Sequence, residues 1–238
     1  NMEDRASSID ESIGHSKPAI CPLADCQAVV EHTHLLRHMI TKHLDPRART
    51  LPFQLRLREV STGQRTLLML PYRQLIIDND QCLAVLNWSS VSQGDLTAPQ
   101  LDLPPCHQML TYHLPILVMV CRTTWKSLLK QIDEKDMQET RDVTAEWGGV
   151  YLFWLLSPLT RRPIYANLAL LNSQIQSVYR RNRRRIRNFA SRMPIRQFIN
   201  GLDPYFVSIN EDQLDELCNG GGNRFSIYFE VIIEGVMS

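Results

Sequence analysis

Residues 21–43 read CPLADCQAVVEHTHLLRHMITKH, and Cys21, Cys26, His38 and His43 stand in them at the spacing C-x4-C-x11-H-x4-H. Two thiolates and two imidazoles fill the tetrahedral shell of a zinc ion, whereas a catalytic zinc keeps one position open for water. The spacing therefore predicts one structural Zn2+ and a fastener, not a reaction centre. It also dictates local shape. Pro22 and the short Leu23–Asp25 segment suit a knuckle that returns both sulfurs to one point. From Glu31 the chain reads as helix, with His38 and His43 near enough to one face for both rings to meet a metal. Val30 and Leu35 supply the few apolar residues that a small ββα finger needs. His32 and His34 are spare imidazoles expected at the surface, with His34 the alternative to His38 as ligand.

A closed finger leaves the function to whatever it is attached to. The chain has 238 residues and 44% hydrophobic content, enough for the finger and one further domain of roughly 190 residues. A net charge of +1 argues against the whole molecule being an electrostatic binder of nucleic acid or of membranes. No apolar run reaches the ~20 residues that cross a bilayer, and Asn1–Ile20 is polar, so no membrane role is expected. Cys82, Cys106, Cys121 and Cys218 are scattered, which beside a thiolate metal site predicts reduced cysteines and an intracellular protein, cytoplasmic or nuclear.

Composition and period divide the chain in three. Residues 1–17 are a Ser-rich polar tail, 18–47 the two-Cys two-His finger, and 50–238 a region of short apolar segments separated by turn signals. Leu51–Val60, Leu67–Leu70, Leu75–Ile77, Leu83–Trp88, Tyr112–Cys121, Val150–Leu156, Ala166–Leu171 and Phe225–Ile233 are strand candidates, filled by Val, Ile, Leu and aromatic residues. So many strands predict a mainly β fold, an antiparallel β-sandwich. The best helix there runs from Glu211 to about Cys218, capped by Asn210 and stopped by Asn219 and three glycines. The segment LPILVMV at 114–120 is apolar on both strand faces and predicts a central strand covered on each side, with a second subunit as one possible cover. Trp88 and Trp154 are expected in the sandwich core; Trp125 and Trp147 are open between core and groove.

The finger spacing, YANLALLN followed by NRRRIRNFASRMPIRQFI, and the closing FVSINEDQLDELCNGGGNRFSIYFEVII together resemble the seven-in-absentia (Siah/Sina) family, over about residues 20–238. The resemblance implies that family's substrate-binding region: a Siah-type zinc finger followed by a TRAF-like β-sandwich that binds partner peptides and dimerises. The eight metal ligands of a RING are missing from this sequence, so ligase activity does not transfer, and no peptide-contacting residue is carried over. Ser89–Gln108 and Ile132–Trp147 look inserted; the second holds six acidic residues against Lys135 and Arg141.

Three functions follow as expectations. The first is a non-catalytic adaptor or scaffold that binds a protein partner or extended peptide and pairs as a homodimer. The second is a nucleic-acid-binding regulator using the strip 180–196, where Arg180, Arg181, Arg183, Arg184, Arg185, Arg187, Arg192 and Arg196 put eight guanidinium groups in 17 residues. A single finger reads only about three base pairs, and only Tyr179 and Phe189 flank the strip for base stacking. A solvated or ion-paired sheet face is therefore preferred for the arginines. The third is a substrate-recognition subunit of a ubiquitin ligase with the RING supplied by a partner. No enzyme is expected: no nucleophile elbow or phosphate-binding glycine loop occurs, and Cys106 beside His107 is not a dyad by adjacency.

Overall fold

Apolar alternation sets the strands, and its phase decides which face each residue covers. The computed structural model describes residues 18–44, 55–125, 127, 149–175, 178–190, 205–219 and 227–236. The finger comprises β1 (Ala19–Ile20), β2 (Val29–Val30) and α1 (Leu35–His38), which a π-helical turn over Met39–His43 continues. There follow β3 (Arg56–Val60), β4 (Arg65–Leu70), β5 (Asp80–Trp88), β6 (Leu114–Thr124), β7 (Gly149–Ser157), β8 (Ile164–Leu171), β9 (Val178–Arg185), β10 (Arg187–Asn188), β11 (Val207–Asn210), α2 (Glu211–Asn219) and β12 (Ile227–Val236).

These strands form two packed sheets, a β-sandwich preceded by a finger-like unit. One sheet has six strands, in the order β10-β7-β6-β5-β3 with β11 also on β7; the other runs β4-β12-β8-β9. The pairing is mostly antiparallel, but β3 runs parallel to β5 and β10 parallel to β7. Leu75–Ile77 is not a strand: Leu75 is buried in a loop and Ile77 makes one isolated bridge to Arg122. The short run lies between the 3-10 turn at Tyr72–Gln74 and a left-handed Asp78 (φ 60°), too little extended chain for a ladder. Helix α2 starts as the sequence predicts. Asn210 Oδ1 accepts from Gln213 N at 2.8 Å and Gln213 Oε1 accepts from Asn210 N at 3.2 Å, a reciprocal capping box.

Between the sheets, Ile116, Val118 and Val120 of β6 and Tyr151, Phe153 and Leu155 of β7 meet Phe229, Val231 and Ile233 of β12. Phe153 stacks on Phe229 with centroids 4.8 Å apart. Trp88 lies in this core, with its indole N–H donating to Thr62 Oγ1 at 3.0 Å. The alternate residues form a second apolar layer on the other face of the six-stranded sheet: Val85, Leu117, Met119, Leu152 and Trp154. The finger supplies Leu35, Leu36 and Met39 to that layer. The both-face apolarity of LPILVMV is thus met within one chain, by the finger and not by a second subunit. Trp125 packs partly buried against the same layer, and Trp147 lies outside the described residues.

Phe229→Ala removes one half of the stacked pair from a core that cannot collapse around it. Loss of about 3–5 kcal/mol of unfolding free energy is expected, read from urea denaturation.

Candidate metal centre and its attachment to the sandwich

The hairpin β1–β2 closes on a backbone bond from Cys21 N to Ala28 O at 2.8 Å, and Cys26 N donates to Leu23 O at 3.0 Å. This knuckle turns Cys21 and Cys26 inward. The histidines need a different device. Five residues along an α-helix rotate a side chain by roughly 140° beyond a full turn, off the first ligand's face. The π-helical turn removes the discrepancy: Leu44 N donates to Met39 O at 2.9 Å, an i→i+5 bond that widens the turn and swings His43 back over His38. Their rings meet edge to face at 5.0 Å.

The ligand atoms of Cys21, Cys26, His38 and His43 all lie within 4.8 Å of one another. Cys21 Sγ is 3.5 Å from His43 Nε2, Cys26 Sγ is 3.5 Å from His38 Nε2, and the two Nε2 atoms are 3.1 Å apart. Two facing imidazole nitrogens share one proton at best; a cation between them satisfies all four donors at once. His43 Nδ1 is buried without a hydrogen-bond partner, so its ring is held by packing and by whatever Nε2 binds. Burial pushes the Cys21 thiol up to about 12, with Cys26 adding to the rise. Burial also pulls His43 down to about 4, helped by His38, and lowers His38, helped by Lys42. The pocket thus keeps its imidazoles neutral and ready to donate lone pairs, and a bound cation must displace the Cys21 proton. Four such donors can hold one metal ion. His34, the alternative ligand, is outside the cluster: its Nε2 is 3.2 Å from Asp102.

The loop between β5 and β6 ties the finger down. Gln100 is buried, and its side chain spans both ends of the α1 entry: Oε1 accepts from Leu36 N at 3.0 Å and Nε2 donates to His32 O at 3.0 Å. Leu101 N adds a bond to Thr33 O at 2.8 Å. Asp102, in a left-handed conformation (φ 53°), takes His34 and also Arg37 NH1, at 3.4 Å. The loop is itself anchored further back. Arg162 grips Asp95 bidentately at 2.7 and 2.9 Å and holds that carboxyl below the usual range, and Arg161 N donates to Asp95 O. The segment that reads as an insertion, Ser89–Gln108, is therefore a strap. The Ile132–Trp147 segment lies outside the described residues.

A family described as a domain of unknown function (DUF4729) matches residues 20–220. The chain belongs to that family. No curated protein and no solved structure matches the chain. The DUF4729 span takes in all four candidate metal ligands, the strap and strands β2 to β11, and ends before β12.

The described part of the arginine strip of this DUF4729 protein is split between the sheets, with β9 at the edge beside β8 and β10 beside β7. Glu230 of β12, only 1% exposed, accepts from Arg181 NH2 at 3.0 Å and from Arg65 Nε. Arg183 Nε donates to Glu234 at 2.5 Å, and its guanidinium lies 4.3 Å over the Tyr165 ring. Arg184 Nε donates to Phe206 O, and Arg185 lies 5.9 Å over the Tyr205 ring. Arg187, half-buried in β10, pairs in register with Leu156 of β7. The Arg180 side chain, Arg192 and Arg196 lie outside the described residues. Cys106 Sγ sits 3.1 Å from His107 Nδ1 in an exposed turn, while Asp102 is engaged by His34 and Arg37 rather than by that pair. Gln100 and Glu230 went unnoticed in the sequence. Of the two, Glu230 carried a signal, a charge flanked by Phe229 and Val231 in a mostly apolar strand.

Gln100→Ala strands the buried N–H of Leu36, worth about 1–3 kcal/mol, and frees the part-buried C=O of His32. Hydrogen exchange is expected to rise across residues 32–39 while the amides of β6 and β7 stay protected, which locates the loss at the strap.

Proposed function

We propose that this protein is a non-catalytic peptide-binding adaptor, a zinc-closed finger fixed on a TRAF-like sandwich, similar to the Siah/Sina substrate-binding region. The carrying observation is how the finger is used. Its apolar residues Leu35, Leu36 and Met39 are spent on the six-stranded sheet, and its polar residues His34 and Arg37 are tied to Asp102. A finger fixed in this way shapes a surface; its helix is not offered to a nucleic-acid groove. The ion pairs of Arg181 and Arg183 with Glu230 and Glu234 weigh in the same direction, since they already engage two guanidinium groups of the strip with carboxylates of the same sheet.

Zinc is the metal that suits the donors. With Zn–S of about 2.3 Å and Zn–N of about 2.0–2.1 Å, a tetrahedron has S···N edges of about 3.6 Å and an N···N edge of about 3.3 Å. The separations of 3.5, 3.5 and 3.1 Å agree with those edges to within a few tenths of an ångström. Bound there, the ion supplies a crosslink between knuckle and helix. Partner binding proceeds by strand addition, in which an extended peptide donates main-chain hydrogen bonds to a sheet edge and alternate side chains enter pockets. The edge strands β4 and β9 of the four-stranded sheet each have one sheet partner among the described residues. Two copies pair to present two such sites.

Elemental analysis of the purified protein should give one zinc per chain, and His43→Ala should lose it, exposing residues 19–43 to proteolysis and lowering the unfolding midpoint of the sandwich that the finger covers. Zinc-free wild-type protein with a fully protected finger would remove the metal from the reading. For the adaptor itself, peptides selected from a random library should protect the amides of an edge strand on binding. Random RNA and DNA should show no binding near 150 mM salt; a steep salt slope abolished by Arg183→Glu and Arg185→Glu would favour the nucleic-acid reading instead.

A further inference from the structure

The four-stranded sheet has an outer face unlike that of its partner. On it Glu230 is buried to 1%, yet the arginines that bury it remain half in solvent, with side chains 47% exposed at Arg65 and 55% at Arg181. The register explains the geometry. Glu230 sits opposite Leu67 of β4 on one side and Ala169 of β8 on the other, and Ala169 sits opposite Arg181 of β9. Arg181 thus reaches across a whole strand, and it does so over a residue with no side chain beyond Cβ. Ala169 is itself fully buried. Arg65, two residues along β4 from Leu67, comes to the same carboxylate diagonally from the opposite side.

The charges on this constellation do not cancel. Two guanidinium groups share one carboxylate, each through a single N–H: Nε of Arg65 on Oε2, and NH2 of Arg181 on Oε1. A guanidinium carries five N–H donors in a rigid fork. Most of the donors on both residues are left for other acceptors, around a net charge of +1, and the buried carboxylate fixes both stems so that little side-chain entropy remains to be lost on binding. Arg183, two residues farther along β9, is already paired with Glu234 and held over Tyr165, so the uncompensated charge of this face belongs to the Arg65–Glu230–Arg181 group.

We infer that the outer face of the four-stranded sheet is an anion-binding surface for an extended acidic peptide, a carboxylate of which lies against Arg65 and Arg181 together. This rests on the adaptor reading and goes beyond it: to strand addition at an edge it adds a contact on the sheet's outer face and the chemistry of the partner that makes it. Glu230 is a positioning residue, which aims two guanidinium groups at the ligand, and Ala169 is the gap that lets Arg181 through.

The probe is a fluorescein-labelled octapeptide of alternating glutamate and serine, titrated against the full chain by anisotropy at about 50 and 150 mM salt. Saturable binding that weakens with salt is expected. Arg181→Gln should weaken it roughly tenfold, the loss of one charge-assisted contact. This variant keeps Arg65 on Glu230 and its fold is checked by its amide spectrum. The triple variant Arg65→Gln/Glu230→Gln/Arg181→Gln, which leaves no charge buried, should abolish binding. Wild-type affinity in either folded variant would overturn the inference. So would tighter binding of random single-stranded RNA than of the peptide, with the same dependence on Arg181. If the acidic peptide fails to bind while a neutral library-selected peptide protects an edge strand, the inference falls and the adaptor reading stands; if neither binds, both fall.

Discussion

The contact between the finger helix and the outer face of the six-stranded sheet is the interaction on which the rest of the structure depends. Strands β6 and β7 are apolar on both faces, and a sheet of that kind is stable only with a layer on each side. The four-stranded sheet is one layer. The other is supplied by Leu35, Leu36 and Met39, packed among Val85, Leu117, Met119, Leu152 and Trp154. The dependence runs both ways. A finger of this size cannot enclose a core of its own, so its helix gains its burial from the sheet that it covers.

This mutual need gives the metal centre its physical meaning. An ion held by Cys21, Cys26, His38 and His43 does no more locally than close a knuckle onto a helix. Because that helix is the roof of an apolar sheet, order at the centre is carried to Leu117 and Met119 below it. The π-helical turn at Met39–His43 is the local cost of this arrangement, since it sacrifices regular helix geometry to bring His43 over His38. The strap works from the other end. Gln100 satisfies backbone groups at the helix start, where an unpaired N–H beneath a loop would be costly. Asp95 and Arg162 then fasten the strap to the turn after β7.

How much of this the sequence made legible follows from how local each interaction is. The four candidate ligands lie within 23 consecutive residues and differ chemically from their neighbours, so their spacing alone singles out the cluster that the fold brings together. The strands announce themselves by alternation, and the Asn210–Gln213 capping box by a spacing of three. Leu75–Ile77 misleads because an apolar triplet fits a buried loop as well as a strand. Gln100 was illegible for a plainer reason. Its partners lie 64 and 68 residues away, and its surroundings, rich in Ser, Pro and Gln, have the composition of a surface insertion. The second subunit considered as a cover for LPILVMV shows the same limit: periodicity reveals that a face is buried, not what buries it.

The two outer faces of the sandwich were built to opposite rules, and the contrast bears on function. One is closed by apolar packing against the finger and the strap. The other keeps charge. A carboxylate as buried as Glu230 is not an economical source of stability, because desolvating it offsets much of what its pairing returns, and an apolar residue of similar volume often does as well. What a buried carboxylate does better than any apolar residue is orient. It fixes two long, rotamer-rich arginines that would otherwise sample many positions, and it does so from beneath, leaving their outward donors in solvent. Stability is thus the weaker explanation for Glu230 at the centre of β12, and presentation of a fixed positive surface is the stronger.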